Sequence, residues 1–222
     1  MKRKIIITGD GSKTILIEDW QEQYHSKHGA INEARHVFIK NGLEHYIAKT
    51  KKNNISILEI GFGTGLNAFL SAIEAEKIHC KINYTGVEAY PVKKEEIQQL
   101  NYVDQIDATA SNLYAKLHDC EWETTCEISP NFKLIKRQQF FSDINDKDCF
   151  DLIYFDAFGA RVQPELWTKE IFKKMYEALK VGGVLVTYAA IGKVKRDMLE
   201  LGFAVERLPG PPGKRHMLRA TQ

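Results

Sequence analysis

A glycine-rich segment, Leu58-Glu59-Ile60-Gly61-Phe62-Gly63-Thr64-Gly65-Leu66, lies between a short apolar run and a segment of helical periodicity. Its three glycines allow the backbone to turn tightly and to lie against a ligand, where a Cβ atom would collide. The first N–H groups of the following helix would point at the same ligand. The third glycine comes one residue earlier than in the G-x-G-x-x-G pattern of dinucleotide enzymes. A glycine turn alone is a weak signal, so the prediction of a ligand-binding loop depends on the carboxylates that accompany it.

Two carboxylates follow predicted strands. Glu88 ends the run 84–88, where a carboxylate can accept hydrogen bonds from both ribose hydroxyls of an adenosine ligand. Asp156 follows the mostly apolar run 150–155. A buried unpaired carboxylate would be costly, and ligands of open α/β sheets bind beyond the strand ends, so Asp156 is expected to face that cleft, with Phe158 as a flat wall for a base. The alternatives are a surface glutamate at a strand end and an aspartate that caps the next turn.

The elements that must position these residues alternate between strands and helices from residue 55 onward. We predict strands at 55–60, 82–88, 132–136, 150–155, 184–188, 203–208 and 215–220, and helices at 66–77, 92–100, 164–179 and 194–201. This alternation predicts an α/β fold with a mainly parallel sheet that is covered on both faces. A Gly/Pro-rich turn without a helix joins the last two strands, so the C-terminal strand is expected to be antiparallel. Seven strands that end in this way are typical of the Rossmann-like class I methyltransferase fold rather than of dehydrogenases.

Residues 1–50 are predicted to form an N-terminal extension, and residues 51–222 the Rossmann-like domain. Two β-branched runs around a Gly-Asp-Gly turn within residues 4–19 indicate a β-hairpin. A helix of about 18 residues is expected to begin at Ala30, with Ile31, Ala34, Val37 and Phe38 on its buried face.

Composition limits the class of protein. The 222 residues are 44% hydrophobic and 27% charged, which is typical of a globular domain, and no apolar run is long enough to span a membrane. The apolar run after the first charged residues is too short for a secretion signal. The four cysteines match no zinc-binding spacing, so we expect no metal site and interpret them as reduced, mostly buried thiols of a cytoplasmic protein.

Several blocks of the chain together resemble one family, the tRNA 5-(aminomethyl)-2-thiouridine methyltransferases, which form the methyltransferase half of the bifunctional protein MnmC. The resemblance rests on Tyr24-His25-Ser26, Gly29-Ala30, Glu33, Glu59 to Asn67, Asp156-Ala157-Phe158, Pro164-Glu165-Leu166-Trp167, Thr187-Tyr188-Ala189, Pro212-Gly213-Lys214-Arg215 and Met217-Leu218. It covers nearly the whole chain. The flavin oxidase half has no room in this length, so the resemblance implies the stand-alone form, MnmD.

The resemblance implies methylation of the aminomethyl group on the wobble uridine of tRNA, with S-adenosyl-L-methionine as the cofactor. Asp156 is then the expected catalytic residue, which orients the amine and takes its proton. The cofactor-binding residues are expected to be Glu59, Gly61, Phe62, Gly63, Thr64, Gly65, Glu88 and Gln139, and the substrate-binding residues Tyr24, His25, Phe158, Tyr188, Lys214 and Arg215. A separate enzyme would supply the aminomethyl group.

Two features bear on these roles. Relatives often carry Gly-Asp after the third strand to hold the adenine, whereas this chain has glutamines there, and Gln139 is our candidate for that contact.

From Ala190 onward the sequence contains seven lysines and arginines and only three acidic residues, although the whole chain carries only +2. Such a local positive charge suits phosphate contacts, but it is equally typical of a solvated face.

Two other functions stay open at the level of sequence. One is a transferase of the same fold that acts on a small free amine, such as a methyltransferase or an aminopropyltransferase. The other is a non-catalytic tRNA-binding module that keeps a relic of the cofactor loop. The intact glycine loop, Glu88 and Asp156 argue against the second.

Overall fold

The computed structural model describes residues 2–222. A central sheet of eight strands has the order β10-β11-β9-β8-β4-β5-β7-β6, and a separate small sheet has the order β1-β2-β3. The strands are β1 (Arg3–Ile7), β2 (Lys13–Ile17), β3 (Glu22–Gln23), β4 (Asn54–Ile60), β5 (Lys81–Val87), β6 (Thr125–Ser129), β7 (Phe132–Arg137), β8 (Phe150–Phe155), β9 (Leu179–Thr187), β10 (Ala204–Pro209) and β11 (His216–Thr221).

The central sheet confirms the predicted fold class. Strands β4, β5, β7, β8 and β9 are parallel neighbours, and β11 runs antiparallel between β9 and β10. The expected count of seven strands was wrong, because β6 adds an eighth strand antiparallel to β7 at the edge. In β6 only Ile128 is buried, so this edge strand has no apolar run that would mark it in the sequence.

The helices differ from prediction mainly near prolines and in the middle of the chain. They are α1 (Ala30–Ala34), α2 (His45–Thr50), α3 (Leu66–Lys77), α4 (Lys94–Ile97), α5 (Tyr102–Ile106), α6 (Ser111–Asp119), α7 (Lys169–Ala178) and α8 (Gly192–Glu200), with a π-helical segment, Arg35–Glu44, that joins α1 to α2. The helix predicted at 92–100 is reduced to the single turn of α4. The helix predicted at 164–179 is a 3₁₀ turn, Pro164–Trp167, and then α7, because the extended backbone of Thr168 separates them. Helices α5 and α6 were not predicted.

Each face of the sheet is covered by a different set of helices, which fixes the register of the strands. In β4, Ile55 and Ile57 belong to the core beneath the helical residues 30–50 and α3, whereas Leu58 and Ile60 belong to the core beneath α7 and α8. Strands buried on both faces are nearly continuously apolar, which is why the sequence predicts them well. The small sheet is the predicted hairpin with one short strand added, and the boundary at residue 50 stays a prediction.

A buried carboxylate joins the helical residues 30–50 to the sheet. The Asp151 side chain, 2% exposed, accepts hydrogen bonds from the Tyr46 hydroxyl at 2.9 Å, the Ser56 amide at 2.9 Å, Lys52 Nζ at 2.7 Å and Lys180 Nζ at 2.8 Å. Burial alone would raise the pKa of Asp151, but these hydrogen bonds together lower it to about 2.

We expect Asp151→Asn to lower the free energy of unfolding by about 2 kcal/mol at neutral pH, the lower end for a broken ion pair because both lysines are partly exposed. A depressed carboxyl pKa gives stability that is present above the ordinary value near 4 and is lost as the pH falls toward 2. Urea titrations of both proteins should therefore differ at pH 7 and converge only below about pH 2. An equal difference at both pH values would contradict this role for Asp151.

The cysteines correct another expectation. Cys120 and Cys126 form a disulfide with Cα atoms 6.0 Å apart, so the interpretation of four reduced thiols was wrong for this pair. The pair comes together because α6 ends at Asp119 and the chain turns back into β6, the strand that the sequence did not reveal. Cys80 is buried as expected, whereas Cys149 is exposed. Within residues 2–222, none of the helices combines the length and apolar character needed to cross a membrane.

Candidate active site

A cavity of about 980 Å³ opens at the carboxyl edge of the sheet. Its walls come from the loops that follow β4, β5, β7 and β8, and from the N-terminal residues that pack over them. The residues that form it include Arg3, Trp20, Tyr24, His25, Glu59, Gly61, Phe62, Gly63, Asn67, Glu88, Tyr90, Gln138, Phe140, Phe141, Ser142, Asp156, Ala157 and Phe158. Volumes of this order are typical of sites for small molecules and cofactors.

The glycine loop is held tightly between two neighbouring strands. Gly61 has φ 92°, and a Cβ atom on it would lie 2.7 Å from the carbonyl oxygen of Asp156. The amides of Gly61 and Phe62 both donate to the carbonyl oxygen of Val87 at 3.0 Å. A side chain at residue 61 would therefore push apart the loops that carry Glu88 and Asp156.

Glu88 closes the other side of this loop. Its Oε2 accepts the amide of Gly63 at 3.1 Å and its Oε1 accepts the amide of Tyr90 at 3.0 Å. Burial raises the pKa of Glu88, and the two backbone hydrogen bonds oppose that rise. The carboxylate is thus fixed in orientation, and each oxygen keeps a lone pair for another donor.

At the floor of the cavity a single amide connects two carboxylates. Asn67 Nδ2 donates to Glu59 Oε1 at 2.9 Å and to Asp156 Oδ2 at 2.8 Å. Burial raises the pKa of Glu59 well above its ordinary value, and the neighbouring Asp156 adds to the rise. Burial also raises the pKa of Asp156 to about 7, Glu33 adds to this rise, and the bond from Asn67 and the charge of Lys214 oppose it. A carboxyl group poised near neutrality beside a cavity is suited to accept a proton.

A family profile described as S-adenosyl-L-methionine-dependent methyltransferase matches residues 137–222, which include Asp156 and Phe158. Over these residues the chain is similar to S-adenosyl-L-methionine-dependent methyltransferases. S-adenosyl-L-methionine is accordingly its cofactor.

Two curated relatives carry the name tRNA 5-methylaminomethyl-2-thiouridine biosynthesis bifunctional protein MnmC. The one from Delftia acidovorans is 28% identical over 217 residues, covering 90% of this chain and 32% of the relative. The one from Marinomonas sp. is 29% identical over 214 residues, covering 89% of this chain and 31% of the relative. The chain therefore spans about a third of the length of these relatives.

Solved structures show the same fold. MnmC2 from Aquifex aeolicus has a TM-score of 0.80 at 23% identity, covering 99% of this chain and 69% of that one. Spermidine synthase from Thermotoga maritima has a TM-score of 0.55 at 13% identity, covering 100% of this chain and 71% of that one. At these identities the likeness extends to the fold alone.

The cavity of this methyltransferase fits its cofactor chemically. Glu59 Oε2 and Asn67 Oδ1 are buried acceptors that have no hydrogen-bond partner among residues 2–222, and the ammonium of a methionine moiety would satisfy them. Glu88 offers its free lone pairs to ribose hydroxyls. Carboxylates on the wall also suit a ligand that carries a positive sulfonium.

Nine of the residues that the sequence singled out lie on the cavity wall, and their individual roles stay predictions. They are Tyr24, His25, Glu59, Gly61, Phe62, Gly63, Glu88, Asp156 and Phe158. Phe158 forms an aromatic corner with Tyr24 at 4.8 Å and Trp20 at 5.7 Å between ring centroids. This corner offers apolar faces to a planar ligand.

The other singled-out residues lie behind the wall or beside it. Gly65 is the N-cap of α3, and Thr64, 1% exposed, lies 3.4 Å from His25 Nε2 and 3.2 Å from the Tyr102 hydroxyl. Burial lowers the pKa of His25 to about 4, with the charge of Lys214 adding to the shift, so this histidine is neutral and is a weak base. Thr64 and His25 therefore support the loop and the wall.

The adenine contact that we expect of Gln139 stays a prediction. Gln138 lies on the wall and Gln139 does not. Strand β7 ends at Arg137, and in an extended chain successive side chains point to opposite sides, so a shift of one residue exchanges them. Phe140 and Tyr90, with ring centroids 6.1 Å apart, lie on the same part of the wall and were also missed.

Asn67 was the most important residue that sequence reasoning did not assign to the site. It is the second residue of α3, two positions after Gly65, and it is 2% exposed. The signal available in the sequence was a polar residue among the apolar residues that begin the helix directly after the glycine loop, because a polar group that is buried there needs a partner.

Proposed function

We propose that this chain transfers the methyl group of S-adenosyl-L-methionine to the primary amine of a 5-aminomethyluridine, with or without a 2-thio group, at the wobble position of tRNA. The observation that carries the proposal is Asp156, whose carboxyl lies on the cavity wall with a pKa near 7 and is held by Asn67. The names of the curated relatives supply the substrate class. The chain spans about a third of the length of these relatives, so the proposal is limited to the amine-methylating step.

The reaction requires little acid–base chemistry beyond one proton acceptor. When bound, S-adenosyl-L-methionine supplies a methyl group on a positively charged sulfur. The amine must be neutral to attack, and both desolvation and nearby positive charge lower its pKa. The amine nitrogen forms the new N–C bond as the C–S bond breaks, and Asp156 accepts the proton that the nitrogen loses. Asn67 fixes one oxygen of Asp156 and so leaves the other, Oδ1, for the amine.

The aromatic corner of Trp20, Tyr24 and Phe158 would receive the uracil ring. An enzyme that acts on a base must take it out of the stack, and aromatic side chains compensate for the stacking that is lost. Arg161 attaches the loop after Phe158 to the segment that joins β2 to β3, because its guanidinium donates to the Trp20 carbonyl oxygen at 3.0 Å and to Glu22 at 2.8 Å. These contacts of Arg161 therefore hold the aromatic corner in place.

The decisive experiment uses bulk tRNA from cells that lack this gene. The purified protein is incubated with this tRNA and labelled cofactor, and the nucleosides are then identified by mass. We expect label in 5-methylaminomethyl-(2-thio)uridine and none in spermidine or other free amines supplied in parallel. Label in the free amines alone would favour a small-amine transferase, and cofactor binding without any transfer would favour a non-catalytic module.

The raised pKa of Asp156 also predicts how stability depends on pH. A carboxyl that is easier to protonate in the folded state gives stability that is fully present below its ordinary pKa of 3.8 and is lost as the pH rises through about 7. Urea titrations of the protein without cofactor should show Asp156→Asn gaining stability relative to wild type between about pH 4 and pH 7 and holding that gain above it. A difference that does not change with pH would contradict a raised pKa at this residue.

Two further assignments belong to this proposal. Because the aminomethyl group must be made before it is methylated, a separate enzyme or domain supplies it. We also place the protein in the cytoplasm, because its proposed substrate is maturing tRNA. Disulfides such as Cys120–Cys126 are uncommon in that compartment, so the redox state of this pair in cells directly checks the placement.

A further inference from the structure

Lys214 lies in the turn between β10 and β11, and its side chain is partly covered by neighbouring groups. Its Nζ forms an ion pair with the carboxylate of Glu33, and it lies 3.8 Å from the centroid of the Tyr188 ring. The Lys214 side chain is 32% exposed and that of Glu33 is 8% exposed. A cation that is neutralised by a buried carboxylate and stacked on a ring has little left to offer to a phosphate.

The partners of Lys214 lead directly to the loop that carries Asp156. The Tyr188 hydroxyl donates to the carbonyl oxygen of Ala157 at 2.8 Å, and Trp167 Nε1 donates to the carbonyl oxygen of Phe158 at 2.8 Å. The rings of Tyr188 and Trp167 are themselves in contact, with centroids 6.0 Å apart. The two residues after Asp156 are thus held by their backbone carbonyls.

On its other side Lys214 is attached to the N-terminal part of the chain. Glu33 Oε1 accepts the amide of Ser26 at 3.0 Å, next to His25 on the cavity wall. The same turn is fixed twice more, because His36 Nε2 lies 2.9 Å from the carbonyl oxygen of Pro209 and a Cβ atom on Gly213 would lie 2.2 Å from the His28 ring. The turn between β10 and β11 therefore packs against residues 28–36, which include α1 and the start of the π-helical segment.

We propose that Lys214 is a positioning residue, which holds Tyr188 against the Asp156 loop and ties that loop through Glu33 to the His25 wall of the cavity. This inference rests on the proposed function, because it assigns Lys214 to the placement of the substrate pocket rather than to RNA phosphates. It replaces the expectation from sequence that Lys214 contacts the substrate. Arg215, the next residue, is exposed and keeps the phosphate role as a prediction.

The test compares Lys214→Met with Lys214→Arg on an anticodon stem–loop RNA that carries 5-aminomethyluridine. Loss of a supporting contact away from the chemistry can displace reacting groups, so we expect Lys214→Met to lower kcat by about 10- to 100-fold. The KM for RNA and the calorimetric Kd for S-adenosylhomocysteine should stay within about threefold, because neither involves Lys214 in this proposal. Lys214→Arg keeps a cation that can stack and pair, and it should restore most of kcat.

Two matched variants separate this role from general effects of charge. Lys133→Met removes the same charge near the start of β7, one strand in from the opposite edge of the sheet, and should behave as wild type. Arg215→Met should raise the KM for RNA in a salt-dependent way without lowering kcat. If Lys214→Met instead raised the KM for RNA in a salt-dependent way and left kcat unchanged, Lys214 would be a phosphate contact and the proposal would be overturned.

Hydrogen exchange supplies a readout that does not depend on activity. In Lys214→Met the amides of residues 157–163 should exchange faster, whereas those of residues 61–65 should exchange at the wild-type rate. Unchanged exchange at 157–163 would overturn the proposal even if activity fell. If wild-type protein methylated no RNA, the proposed function would fail, and the exchange experiment would still decide whether Lys214 holds this loop.

Discussion

Replacement of Asp156 by asparagine is expected to lower kcat for the 5-aminomethyluridine stem–loop by about 10²- to 10⁴-fold, the usual contribution of a positioned proton acceptor. Asparagine has nearly the same shape but cannot take a proton from the attacking amine. Asn67 already donates to Oδ2 of Asp156, and an amide oxygen can accept that bond as well as a carboxylate can. The loss should therefore fall on turnover, with the Kd for S-adenosylmethionine changed by less than about threefold.

The matched control for this variant is Asp143→Asn, which removes an exposed carboxylate from the 3₁₀ turn Phe141–Asp143 beside the cavity. It should leave kcat and Kd at wild-type values. Rapid-quench measurement of a single turnover separates the chemical step from product release. A normal single-turnover rate in Asp156→Asn, together with lost cofactor binding, would show that Asp156 holds the cofactor and is not the proton acceptor.

Replacement of Glu88 by alanine should weaken the binding of S-adenosylmethionine by about 100-fold or more. Two hydrogen bonds from ribose hydroxyls to a carboxylate contribute on the order of 3 kcal/mol together, which corresponds to that factor. The variant also leaves the amides of Gly63 and Tyr90 without their acceptor, which loosens the glycine loop. Titration calorimetry with both S-adenosylmethionine and S-adenosylhomocysteine measures the effect.

Glu95→Ala is the control for this second variant, because Glu95 is exposed on α4 and takes no part in the cavity wall. Both cofactor forms should lose affinity equally in Glu88→Ala, since the ribose is common to them. An affinity within about threefold of wild type would mean that the ribose is bound elsewhere.

The parts of the site that could be predicted from the sequence depend on short, local patterns. The glycine loop sits between a strand and a helix that are contiguous in the chain, and Glu88 and Asp156 each follow an apolar strand. Parallel strands bring their carboxyl ends to one edge, so a correct reading of the strands places these residues together. The same reasoning gave the order of strands and helices over most of residues 54–222.

The parts that could not be predicted depend on packing between distant segments. Lys214 and Glu33 are 181 residues apart in sequence, and nothing in either neighbourhood indicates that they pair. Strand β6 is half exposed at the sheet edge, so no apolar pattern marks it in the sequence. The disulfide between Cys120 and Cys126 depends on the chain turning back into β6, so it was missed together with this strand. Gln138 rather than Gln139 lies on the wall because β7 ends at Arg137. The residue at which a strand ends is the feature that a sequence pattern defines least well.

The most direct test of the central claim is transfer of a labelled methyl group to a defined anticodon stem–loop under single-turnover conditions. One RNA carries 5-aminomethyluridine at the wobble position, and its partner carries unmodified uridine. We expect one methyl group on the exocyclic nitrogen of the first RNA, at a rate that falls in Asp156→Asn, and no label in the second. Label on the second RNA, or on any carbon or oxygen of the first, would contradict a cavity that presents an activated methyl group to a neutral amine beside one carboxylate.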